Sequence, residues 1–257
     1  MDADFPAAHS MDTMWFAVDR DGRVGCFDSG EAGAVPDRAF GDESSKAAYK
    51  PLLRLPVSGE VIYDLSGHEV PFDLPGRAHI AAERGYPFPF LMFLSSLDPV
   101  QDEVAAGRAL PVRSRTGAAV LFRGISEQLS RRLHDAGACL HCSYGDDPDD
   151  EELAELNFTR RGLFYYGHLT ENWISGPYGR EMLPSHPLHI DQLPPAVRNA
   201  IKAMRFNELS FAETTHIQPV SHGVCRSWQD EWLDLDGKRH PMPGREDAET
   251  EPPVAEE

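Results

Sequence analysis

Three groups of residues have the types and spacing that chemistry needs. Cys139 and Cys142 form a C-x-x-C with His141 inside it. Such a pair serves as a redox dithiol where a helix N-terminus lowers the thiol pKa, as half of a tetrahedral zinc site where a second pair completes it, or as two small buried hydrophobes. It falls within or just after an expected strand, and Cys26 and Cys225 stand alone in the sequence, so core packing is favoured over metal or redox work. His186, His189 and Asp191 form a His-x-x-His-x-Asp cluster. Two imidazoles and a carboxylate can converge on one Zn or Fe ion, with His240 as a further ligand and Arg245 beside it for an acidic substrate. That reading describes a metal-dependent hydrolase or oxygenase. Pro187, Pro194 and Pro195 favour a rigid loop entering a helix instead. His216, His222 and Cys225, with Ser221 and Ser227, raise nucleophilic catalysis, but no G-x-S-x-G elbow accompanies them.

Aromatic residues concentrate in the second half. Tyr165, Trp173, Tyr178, Trp228 and Trp232 are the candidate binding residues, since Trp and Tyr anchor protein interfaces. The competing reading places their rings in the core with polar tips at its edge.

Charge bounds the partners. The 257 residues carry 24 Lys and Arg against 42 Asp and Glu, a formal charge of −18. A nucleic-acid backbone and an anionic membrane are therefore not expected partners. Residues 146–155 hold seven acids and residues 246–257 hold six, with no base in either, so the remaining 235 residues carry only −5. Such runs are usually solvated, and they also suit a basic partner. No basic, apolar leader follows Met1 and no stretch approaches the roughly 20 apolar residues a spanning helix needs, so a cytoplasmic location is expected.

The elements that position these groups follow from periodicity. Met14–Val18 and Arg23–Phe27 flank Asp-Arg-Asp-Gly and predict a β-hairpin. Its continuation, WFAVDRDGRVGCFDSGEAGAVP at residues 15–36, resembles the opening of a group of uncharacterised bacterial proteins with the same aromatic hairpin and Asp-Ser-Gly-Glu loop. The resemblance implies a bacterial origin and supplies no catalytic residue. Residues 37–80 read as irregular β structure, with strand-like pieces at 52–55 and 60–63. Asp98-Pro99 should open a short helix ending near Gly107, after a buried strand in YPFPFLMFL. Ala118–Phe122, a helix over 125–136 capped by Gly137, and a strand over 138–144 make a β-α-β unit. A strand over 162–169 and a helix from Pro194-Pro195, ended by Asn207 and followed by a strand through Leu209, Phe211 and Ile217, complete the pattern.

Together these predict an α+β fold: a mixed sheet with an N-terminal antiparallel hairpin, one β-α-β unit and two to three packing helices. Residues 1–243 are expected to form one domain, with a division near 146–156 the alternative, and 244–257 a disordered acidic tail. The leading functional expectation is a protein that binds another, basic, protein without a cofactor, as an immunity or antitoxin-like factor would; the alternative is the metal enzyme above.

Overall fold

The computed structural model describes residues 13–30, 32–40, 44–64, 70–71, 90–115, 117–122, 125–143, 154–169, 174–227 and 229–243. Its strands fall mainly into two sheets. The first contains β1 (Met14–Val18), β2 (Val24–Asp28), β10 (Phe164–His168), β11 (Tyr178–Pro184) and β12 (His216–Ile217) in that order, with β4 (Val61–Tyr63) on the same edge of β11 as β12. Only β2 and β10 run parallel, which makes this sheet mixed. The second, wholly antiparallel, has the order β5 (Val70–Pro71), β9 (Cys139–Ser143), β6 (Phe90–Leu94), β8 (Ala118–Phe122), β7 (Ala109–Val112). Two small ribbons pair β3 (Val35–Pro36) with β13 (Cys225–Arg226), and β14 (Glu231–Leu233) with β15 (Arg239–Pro241). The fold is α+β, as the sequence predicts.

Alternation along the strands explains the layers. In the first sheet Phe16, Val18, Cys26 and Tyr165 point into one core, while Trp15, Ala17, Phe27, Phe164 and Tyr166 point into another. The second core is an aromatic stack: Trp15 lies 4.1 Å from Phe27, and Phe27 lies 4.9 Å from Tyr166. It is roofed by Met204, Phe206 and Phe211. The sequence predicts a strand over part of this region, but the strand is limited to His216 and Ile217; Arg205 makes an isolated parallel bridge to Val18, and the rest is irregular chain that buries its aromatic side chains.

The second sheet joins the first core through Leu91, Phe93 and Ala119 and turns Met92, Val120 and Phe122 the other way. There α4 (Glu127–Asp135) covers them with Leu129 and Leu133. Ser126 Oγ accepts from Leu129 N at 3.1 Å to start this helix, and Gly137 at φ +67° follows its end. The β-α-β unit is split, because β8 and β9 are parallel to each other with β6 between them, antiparallel to both.

The remaining helices are α1 (Asp37–Phe40), α2 (Ser44–Leu53), α3 (Gln101–Ala105), α5 (Ala154–Arg160) and α6 (Pro195–Ile201). The irregular β structure expected over 37–80 is corrected by α2, which takes in the first half of the strand-like piece at 52–55. Pro51 lies inside α2 and leaves the Ala47 carbonyl without its helical donor, so Pro51 hid the Ala48/Leu52 spacing that buries one face. Among the described residues no helix is long and apolar enough to cross a membrane.

Candidate functional site

The candidates that fall among the described residues each have a definite place. His189 Nδ1 accepts from Asp191 N at 3.2 Å while Gln192 Oε1 accepts from His189 N at 2.7 Å, a reciprocal cap for the single turn Ile190–Gln192. Asp191 lies 3.7 Å from Arg198, and exposed His186 shares a 3.1 Å hydrogen bond with Ser185. His240, expected to complete a metal set, sits instead in the β14–β15 ribbon, 2.7 Å from Asp234 and stacked on Trp232 at 4.6 Å. Arg245 lies outside the described residues. Among the described residues no three His, Cys, Asp or Glu side chains gather as a metal site.

Cys139 is half-buried in β9, with its thiol directed at the Gly137 carbonyl. Cys142 pairs with Leu91 on the same strand, and its side chain lies outside the described residues. The register of β9 against β6 shifts at His141, so strict alternation through the C-x-x-C does not hold. Buried Cys225 is a poor nucleophile at neutral pH: desolvation, with a contribution from Asp37, pushes its thiol up to about 12. His222 packs 4.9 Å from the Phe206 ring, and burial lowers its pKa.

Of the aromatic candidates, Tyr165 and Tyr178 are core residues that present no face to a partner. Tyr165 donates to Asp28 Oδ2 at 2.9 Å; Tyr178 donates to the Ala34 carbonyl at 3.1 Å and accepts from Trp15 Nε1 at 3.3 Å. Both faces of the first sheet are covered, so alternation exposes neither ring. Trp232 is half-buried against His240. Trp173 and Trp228 lie outside the described residues.

The structure gathers a different set. Helix α5 buries Leu156, Phe158 and Thr159 and ends at exposed Arg160, with half-buried Arg161 directly after it. The Arg160 carbonyl accepts from Ser58 N at 2.9 Å and Gly59 N at 3.2 Å, which pins the loop after α2 against the helix end. Arg161 braces the same joint. Its Nε donates to the Leu55 carbonyl at 2.8 Å, and its Nη1 donates to the Asn157 carbonyl at 2.8 Å and to Asn157 Oδ1 at 3.3 Å.

Two depressions flank α5. Tyr49, Lys50, Leu53 and Arg54, at the C-terminal end of α2, enclose about 480 Å³ with Asn157 and Arg161 on one side. On the other, Val57, Val61, Val112 and Leu156 are apolar walls and Glu60, Arg113 and Arg160 charged ones around about 550 Å³. Leu156 with Arg160, and Asn157 with Arg161, are i, i+4 pairs, so one helix ridge separates the two hollows and serves both. Both volumes fall in the range of ligand-binding clefts.

Among the described residues, five cations and one carboxylate line these hollows in a chain of net −18. The carboxylate, Glu60, lies 3.6 Å from Arg113, and both are well exposed, so the pair holds little energy. Lys50, Arg54 and Arg160 have no acidic partner among the described residues. Burial, and then repulsion from Arg160, lower the pKa of Arg161, as expected of a cation short of counter-charge. Chemically the arrangement offers charge-assisted donors to an anion beside apolar walls. These positions carry no shared pattern in the sequence beyond the Arg160-Arg161 pair, five residues past the acidic run, and the acidic runs outweigh it. Compared with family models, with curated proteins and with solved structures, the chain matches none.

Proposed function

We propose that this protein is a protein-recognition module whose cleft, on both sides of α5, takes an extended acidic segment of a partner, with apolar side chains seated against Val57, Val61, Val112 and Leu156. The observation that carries this reading is the pair of adjoining hollows lined by Lys50, Arg54, Arg113, Arg160 and Arg161. Electrostatic complementarity sets on-rate and partner choice, and Lys50, Arg54 and Arg160, with no acidic partner among the described residues, lose little when an acidic ligand arrives. The net charge of −18 then works as a filter. A long polyanion is repelled beyond the cleft, while a short acidic segment is attracted within roughly one Debye length, about 8–10 Å.

An immunity or antitoxin-like role is one instance of such binding, and this surface calls for an acidic docking segment on the target. The basic partner suggested by composition would have to use the acidic runs rather than this cleft. A random-peptide display screen against the whole chain tests the proposal. Acidic peptides with one or two apolar residues should enrich and lose binding to the Arg113→Glu/Arg160→Glu variant while keeping it to Lys238→Glu. Enrichment of basic peptides only, or equal binding to all three proteins, would overturn it.

A further inference from the structure

Among the described residues, the hollow between α2 and α5 differs from its neighbour in holding three cations and no carboxylate, and in having one of its guanidinium groups fixed in advance. With Arg161 Nε and Nη1 committed to Leu55 and Asn157, its Nη2 has no acceptor among the described residues. Asn157 Oδ1 accepts from that guanidinium, so the amide nitrogen of Asn157 remains a donor without an acceptor among the described residues. Lys50 and Arg54, about one helical turn apart at the end of α2, reach the same space from the other wall.

A single carboxylate has too little charge and too few oxygens for this set. A phosphate monoester brings a charge of about −1.5 to −2 and three acceptor oxygens, a match for planar guanidinium donors and an ammonium point charge. We infer that the hollow formed by Lys50, Arg54, Asn157 and Arg161 is a phosphate subsite that receives a phosphorylated side chain of the partner segment. This deepens the acidic-segment reading and rests on it. Arg161 supplies the preorganised donor, since its position costs no further side-chain ordering when the ligand arrives. Lys50 and Arg54, both exposed, close on the remaining oxygens. The half-buried Tyr49 ring, packed edge-on against Phe158 at 5.3 Å, forms a firm wall beside them.

The test uses the whole chain and three probes: a ten-residue peptide of Glu and Ser carrying two Leu residues, the same peptide with one central phosphoserine, and inorganic phosphate as competitor. Calorimetric titration should show the phosphopeptide binding at least fivefold more tightly than its unphosphorylated form. Inorganic phosphate should compete for that gain. In Lys50→Gln/Arg54→Gln, whose exposed side chains have no hydrogen-bond or ion-pair partner among the described residues, the gain should vanish while the thermal midpoint stays unchanged. A gain below fivefold on the wild type, or one retained in the variant, with the unphosphorylated peptide still bound, overturns the phosphate subsite and leaves the acidic-segment reading standing. If neither peptide binds the wild type, both readings fall.

Discussion

Replacing Asp64 by asparagine removes the charge at the joint between the two sheets. Asp64 follows β4 and its side chain is nearly inaccessible, as is that of Arg180 on β11. Its Oδ2 accepts from Arg180 Nε at 2.8 Å, lies 2.6 Å from Arg180 Nη2, and accepts from Arg115 Nη1 at 3.3 Å. Arg180 Nη1 donates to the Phe211 carbonyl at 2.5 Å. The adjacent backbone joins the same parts: Tyr63 N donates to the Arg113 carbonyl and Arg115 N to the Tyr63 carbonyl, both at 3.0 Å. Asparagine keeps the shape and strands a buried guanidinium. Removing one partner of a buried pair costs about 3–5 kcal/mol. At about 2–4 °C per kcal/mol for a chain of this size, the thermal midpoint should fall by roughly 6–20 °C. Urea unfolding of wild type and variant, with unchanged m-values, measures it. Arg115→Ala, whose side chain is 44% exposed, should cost about 1 kcal/mol or less. An Asp64→Asn loss below about 1 kcal/mol would refute the assignment of this joint to the ion pair.

Ser126→Ala should remove the N-cap of α4 and cost about 1 kcal/mol in the same urea assay. Gly162, at φ +97°, lies just past α5, where an added Cβ would come within 2.8 Å of the His186 carbonyl and Leu188 N. Gly162→Ala should therefore destabilise the chain by about 1 kcal/mol or more and, by shifting Arg160 and Arg161, weaken acidic-peptide binding; calorimetry on the folded variant reads the second effect. Cys225 should resist thiol reagents at pH 8 until the chain unfolds, as peptide mapping after timed labelling would show. Because its pKa is raised from 9.0 to about 12, the unfolded chain loses this proton first, so its contribution to stability declines as pH climbs through that window.

Local signals were legible where one segment carries its own pattern. The N-terminal hairpin is set by alternating β-formers around a turn whose Gly22 takes φ +78°, and α4 is bracketed by Ser126 and Gly137. Helix α2 was hidden by Pro51, since a breaker inside ten residues outweighs a short apolar spacing until tertiary burial of Ala48 and Leu52 supports it. The insertion of β6 between β8 and β9 is a nonlocal pairing that no window of sequence contains. The fate of Tyr165 and Tyr178 depended on whether both faces of the first sheet are covered, which residues 204–217 decide from far along the chain. The cleft was the least legible feature, because Lys50, Arg54, Arg113, Arg160 and Arg161 come from three separated segments that only the packing of α2, α5 and β7 brings together.

The central claim is that the cationic cleft around α5 recognises an acidic segment. Its most direct measurement is a calorimetric titration of one acidic, apolar-containing peptide into the wild type, Arg54→Glu/Arg160→Glu and Lys238→Glu at about 50 mM salt, where surface charges are weakly screened. The affinity of the double variant should fall at least tenfold, about 1.4 kcal/mol, while Lys238→Glu stays within twofold of wild type. Equal affinities for all three proteins would contradict the account.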